Sequence, residues 1–263
     1  MNIRGERILI LGDSLSALSP YTTTKPTIVD LLPGTAATSP GGLLGKLLLA
    51  QGAQAVRVNA RIGRSAISFI NGENGLAQVA SDIAAFRPTK TIVFLGTNDI
   101  DRGVSADALA RTTIAMRQIR DAFMYAGVDV VALGPPSYRN GKYSAGAPAM
   151  LATMQNVFGT DRVLDLQPLV PKAERSTDGV HFTAAGAQAL VPVIAARITM
   201  LGTPLAAPSS VGTKVAWGAA GVAGFVGVTL LALHATKRAA QDPRAIGMSI
   251  GKQALRYALK RRG

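Results

Sequence analysis

The sequence predicts a parallel, doubly wound α/β domain, and two features of its patterning carry that expectation. Short aliphatic runs bounded by turn residues recur through roughly the first 200 residues, and longer amphipathic segments separate them. Alternation of this kind sets parallel strands side by side under a covering of helices, because each crossover needs enough chain to form a helix. The composition supplies the core: 48% of residues are hydrophobic and 16% charged, against about 25% charged in ordinary soluble proteins. A disordered polymer is thereby excluded.

The elements follow in order. A strand is predicted over residues 7–11, then a helix over 41–51 after Pro40. A second strand at 55–59 leads to a helix at 75–86 that ends before Pro88, and a third strand lies at 91–95. Ser105 is an N-cap candidate for the longest helix, 106–126, which stops at Gly127. Along it Leu109, Met116, Ile119 and Phe123 fall near one face, with Arg111, Arg117, Arg120 and Asp121 elsewhere, the stripe that covers a sheet. A fourth strand at 128–133, a helix at 147–158, a fifth strand at 162–165 and a helix at 184–201 complete the set, without internal repeat.

The remaining chain differs in kind. Residues 1–213 carry 19 Lys and Arg against 14 Asp and Glu, whereas residues 214–263 carry 9 against 1, so +8 of the +13 net charge lies in the last fifty residues. Residues 202–214, with Pro204 and Pro208 among small residues, read as a linker from the domain at 1–201. Residues 215–235 hold only Trp217, Thr229 and His234 as polar side chains, and at about 1.5 Å per residue they span roughly 30 Å, the hydrocarbon thickness of a bilayer. A transmembrane helix is expected there. Small residues four apart (Ala216, Ala220, Gly224; Ala219, Ala223, Gly227) suit close helix packing and self-association. Residues 236–263 form a basic tail in which Ile246, Ile250, Leu255 and Leu259 at near-helical spacing suit an amphipathic helix on an anionic membrane face, or a solvated tail. No N-terminal signal peptide is expected, because the apolar run after Arg7 covers only residues 8–11. The positive-inside rule would send the domain across the membrane, a tail anchor would leave it in the cytoplasm, and a virion membrane obeys neither simply.

The chain has no cysteine, which excludes disulfide scaffolds, thiolate zinc sites and cysteine nucleophiles. Nucleic acid is an unfavoured partner, since the basic excess lies mainly beyond the apolar stretch and lacks interleaved aromatics, Tyr257 excepted.

In a doubly wound domain ligands bind at the carboxyl ends of the strands. The first strand runs into Gly12, Asp13, Ser14 and Leu15; a serine there, at an expected helix start, exposes its hydroxyl and offers its amide to a developing anion. After the second strand come Arg61, Ile62, Gly63 and Arg64, and the third ends in Gly96, Thr97, Asn98 and Asp99. Asp178 precedes His181, the sole histidine of the domain, by three positions, a spacing that suits a carboxylate orienting an imidazole base.

These four segments resemble the blocks of the SGNH hydrolases, the GDSL family of esterases and lipases, in the family's order over about residues 7–200. The resemblance implies a three-layer α/β/α sandwich, flavodoxin-like, on a five-stranded parallel sheet. It implies Ser14 as nucleophile, His181 as base and Asp178 as its orienting carboxylate. The implied oxyanion hole comprises the Ser14 and Gly63 amides and the Asn98 side chain, and no metal or organic cofactor is needed. Asp13 and Asp99 are expected to support their loops. Two departures stand out: a Thr-rich insertion at about 21–38 follows the first block, and Arg61 stands near a frequent glycine, so that Gly63 is assigned as the one glycine between Gly52 and Gly72. The expected activity is a membrane-tethered serine ester hydrolase. A short acyl ester on a cell-wall or surface glycan is favoured, since Arg61, Arg64, Arg102, Arg139 and Lys142 on the strand-end loops suit an anionic polymer, or are simply solvated. A lipid esterase or lysophospholipase-type activity is the alternative, and a non-catalytic component of a membrane or virion assembly is another.

Overall fold

The computed structural model describes residues 3–18, 27–169, 175–199 and 201. A six-stranded sheet organises them: β1 (Arg7–Gly12), β2 (Thr27–Asp30), β3 (Ala55–Ala60), β4 (Lys90–Phe94), β5 (Asp129–Leu133) and β6 (Val163–Leu164), in the order β2-β3-β1-β4-β5-β6. The helices are α1 (Pro40–Ala50), α2 (Ala66–Gly72), α3 (Gly75–Phe86), α4 (Thr97–Asp101), α5 (Ala106–Tyr125), α6 (Gly141–Phe158) and α7 (Ala184–Ile198). Side chains alternate across β1, so Ile8 and Ile10 pack with Leu44 and Leu48 of α1 and Leu190 and Ile194 of α7 on one face. Leu9 and Leu11 join Phe69 of α2, Val79 of α3, Met116 and Ile119 of α5 and Met150 of α6 on the other. The three-layer α/β/α arrangement expected from the resemblance is therefore present.

The expected five-stranded parallel sheet is corrected in one respect. Five strands are parallel, but β2, from the segment read only as an insertion, adds a sixth at the edge and runs antiparallel to β3. Its signal is weak because four residues with alternating half-burial give little hydrophobic run. What sets its register is a charge pair across the strands: Asp30 lies opposite Arg57, whose Nε and Nη2 donate to the two carboxylate oxygens at 2.6 and 2.9 Å. Helix α6 begins at Gly141, upstream of the expected residue 147, because the Asn140 side chain accepts from the Lys142 amide and Pro148 sits on the exposed helix face. The short helices α2 and α4 escaped the periodicity reading. The linker at 202–214, the transmembrane helix at 215–235 and the tail at 236–263 lie outside the described residues. Among the described residues, no helix is long and apolar enough to cross a membrane.

The register of the central strands brings three loops to one level. Gly12 at the end of β1 lies beside Ala60 of β3 and Phe94 of β4, so the residues that follow all three strands emerge together. Gly12 is also where the chains crowd: a Cβ there would stand 2.9 Å from the Phe94 carbonyl oxygen and closer still to Ser16. Gly12→Ala is expected to lower stability by about 1–3 kcal/mol through overpacking, read as a reduced Tm. An unchanged Tm would show that the strand end yields without cost.

Candidate active site

Ser14 sits in a tight turn, not at the expected helix start. The Asp13 carbonyl accepts from the Ser16 and Ala17 amides, and the Asp13 carboxylate accepts from the Leu15 amide at 2.9 Å. Among the described residues this one turn does not propagate, and the next helix begins at Pro40. The turn leaves Ser14 Oγ 2.9 Å from His181 Nε2. His181 Nδ1 is in turn 2.6 Å from Asp178 Oδ2. With the imidazole proton on Nδ1, facing the carboxylate, the Nε2 lone pair faces the serine hydroxyl, which is the tautomer that a general base requires.

The second oxygen of Asp178 is fully engaged. Its Oδ1 accepts from the Val180 amide at 2.8 Å, the His181 amide at 3.0 Å and the Ser176 hydroxyl at 2.7 Å. Burial alone would raise the Asp178 pKa, but the bonds from His181, Val180 and Ser176 outweigh it and hold the carboxyl well below its ordinary value. Gly179 lets this loop close. It has φ +72, and a Cβ there would lie 2.7 Å from the Asn140 amide nitrogen, while its carbonyl accepts from the Arg139 and Asn140 amides.

The opposite wall comes from the loops after β3 and β4. Gly63 turns with φ +74 in open space. Among the described residues, no oxygen accepts from the amides of Ser14 or Gly63, so both donors are available. Asn98 stands in the first turn of α4 and donates through Nδ2 to the Arg64 carbonyl at 3.0 Å, with a longer contact of 3.4 Å to Asp13 Oδ2. Asp13 and Asp99 lie beneath, both buried. Asp99 accepts from the Ala66 amide at 2.9 and 3.1 Å and so ties α4 to α2. Burial raises the pKa of both, aided for Asp13 by the nearby Asp99 charge, and Asp13 is pushed up to about 7. Their supporting bonds fit the loop-bracing role expected of them.

The loop cations divide. Arg64 is not a solvent-facing charge for a polymer: its guanidinium is enclosed and donates to the Gly12 carbonyl at 3.2 Å, the Asn59 carbonyl at 3.0 Å and Glu73 at 2.8 Å. Arg61 pairs with the same Glu73 at 3.4 Å, and Lys142 with Asp101 at 2.7 Å. Arg102 and Arg139 are exposed. Sequence reasoning missed Ser176 and Glu73. A hydroxyl two positions before Asp178 was a usable local signal, whereas nothing local marks Glu73 as the partner of Arg64.

A family model described as GDSL-like lipase/acylhydrolase matches residues 10–189. Among solved structures, the chain is similar to a catalytic mutant of the acetylxylan esterase Axe2 from Geobacillus stearothermophilus (16% identity, 74% of this chain and 94% of that one, TM-score 0.55). It is similar also to LAE5, an α/β hydrolase enzyme from the metagenome of Lake Arreo, Spain (17% identity, 76% and 98%, TM-score 0.56). At these identities the likeness speaks for the fold. Further catalytic mutants of Axe2 replace an aspartate and a histidine that stand three positions apart. No curated protein matches the sequence.

The buried Asp13 yields a prediction with a definite sign. Its folded-state pKa of about 7 lies above the ordinary 3.8, so its contribution to stability is full below the unfolded-state value and is lost as pH rises through about 7. Asp13→Asn keeps an acceptor for the Leu15 amide and removes the titration. Its Tm is expected to exceed that of wild type at pH 8 and to differ less at pH 4. An equal change at both pH values would refute the raised pKa.

Proposed function

The chain belongs to the GDSL-like lipase/acylhydrolase family, and on that premise we propose that Ser14 is the nucleophile of a serine ester hydrolase working through an acyl-enzyme. The observation that carries this reading is the unbroken hydrogen-bonded series from Ser14 through His181 to Asp178. His181 Nε2 takes the hydroxyl proton as Ser14 Oγ attacks the ester carbonyl, and Asp178 stabilises the imidazolium that forms. The oxyanion is received by the amides of Ser14 and Gly63 and by the Asn98 Nδ2 hydrogen that now makes only the long contact to Asp13. Collapse breaks the bond to the alcohol, which leaves with the proton from His181. Water then attacks the acyl-enzyme with His181 again as base, releasing the acid and restoring Ser14.

A short acyl group on a glycan is the proposed substrate. The acetylxylan esterase activity named for the similar structures and the exposed Arg139, whose amide binds the Gly179 carbonyl beside the Asp178–His181 pair, support it. The proposed setting is a membrane surface, through the apolar stretch 215–235 and the basic residues after it.

Ser14→Ala is expected to abolish hydrolysis of p-nitrophenyl acetate and labelling by a fluorophosphonate, and His181→Ala to leave only a slow, measurable residual hydrolysis. Asn98→Ala is expected to lower kcat by about 100- to 1,000-fold with the fold intact. Comparable activity in Ser14→Ala would overturn the nucleophile assignment, whereas a folded wild type that neither hydrolyses nor labels would favour a binding role. For the tether, the full chain is expected to sediment with membranes and a chain ending at residue 213 to remain in the supernatant; equal partition of the two would remove the anchor.

A further inference from the structure

The loop that carries Asp178 and His181 begins at a cation that the sequence reading passed over. Arg175 is 2% exposed. Its Nε and Nη2 donate to the Ser137 carbonyl at 2.8 and 2.5 Å, and its Nη1 donates to the Val180 carbonyl at 2.7 Å. The guanidinium carbon lies 3.7 Å from the Phe182 ring centroid and 5.2 Å from that of Tyr138. Among the described residues no carboxylate forms an ion pair with it. Burial lowers its pKa to about 10, which leaves it charged at neutral pH.

A buried cation is costly unless its donors are satisfied, and here backbone carbonyls and aromatic faces receive them. The carbonyls are specific ones. Val180 immediately precedes His181, and Ser137 lies between β5 and α6, next to the Tyr138 whose hydroxyl meets Thr97 at 2.9 Å in the first turn of α4. The loop is further closed on itself: Arg175 and Phe182 face each other in an antiparallel bridge, and the Ser176 amide donates to the His181 carbonyl at 2.8 Å. One guanidinium therefore links the backbone at His181 to the wall that holds Asn98.

We propose that Arg175 is a positioning residue for ester hydrolysis: by binding the Val180 and Ser137 carbonyls together, it holds the His181 imidazole in line with Ser14. The role rests on His181 being the base. A planar fork reaches two carbonyls at once, whereas a lysine ammonium on a flexible stem is a point donor. A small displacement of a general base is enough to slow the reaction without weakening substrate binding.

The test uses the full chain with Arg175→Lys and Arg175→Gln, each made in wild type and in a His181→Ala background. The measurements are kcat and KM for p-nitrophenyl acetate, and Tm. In the wild-type background kcat is expected to fall about 10- to 100-fold with KM nearly unchanged, and Lys to retain more activity than Gln. In the His181→Ala background no further loss is expected, since the group being positioned is gone. Equal proportional losses in both backgrounds would overturn the proposal in favour of general damage to the site. Unchanged kcat in both single variants would overturn it outright, and failure of both to fold would make Arg175 a support of the domain at large. Full activity in His181→Ala alone would instead remove the assignment of the base, a distinct failure.

Discussion

The guanidinium of Arg64 joins the end of β1, fifty-two residues away in the chain, to two segments that flank it, the end of β3 and the turn after α2. It donates to the Gly12 carbonyl at the end of β1, to the Asn59 carbonyl and side chain in β3, and to Glu73 beyond α2, while its own carbonyl accepts from Asn98 in α4. Enclosing such a cation costs several kcal/mol of hydration, and the enclosure is tolerable only when each donor finds a partner in good geometry. Meeting that condition requires the ends of β1 and β3 and the start of α4 to keep their mutual spacing. The Ser14 turn, the Gly63 turn and Asn98 are thereby held as one unit, so the wall proposed to receive an oxyanion is built before substrate arrives.

The other wall obeys the same rule with a different acid balance. Asp178 is stabilised as a carboxylate by its four donors, and its lowered pKa keeps it charged to hold the imidazole. Beneath Ser14, Asp13 and Asp99 are pushed the opposite way by burial. Carboxyl groups of one domain thus have separated protonation behaviour, set by how many donors each reaches and how much water each keeps. The ester hydrolase assignment rests on family membership, while the geometry explains how these particular side chains can divide the labour.

Much of this was legible in the chain itself. The five parallel strands declare themselves because strands covered on both faces are short aliphatic runs, and the longest helix declares itself through Ser105, which caps α5 by accepting from the Ala108 amide, and Gly127 beyond it. Ser14, Gly63, Asn98, Asp178 and His181 could be singled out because each follows a strand or sits in a short turn, where local sequence marks position. The edge strand β2 could not, since four half-exposed residues carry little periodicity and its register depends on Arg57 in a different segment. Arg64 misled for a related reason: an arginine in a loop reads as solvated until the glutamate that encloses it is placed.

The sequence by itself determined the layer order of the domain, the candidates for chemistry and the separation of a basic, apolar C-terminal stretch from the rest, because these follow from periodicity, turn residues and composition along the chain. Tertiary structure alone decided which charges are buried, that Ser14 stands in a turn within reach of His181, and that Arg175 spans Ser137 and Val180. Those are matters of distance between segments far apart in the chain, and burial, hydrogen bonding and pKa are set by such distances and not by local spacing.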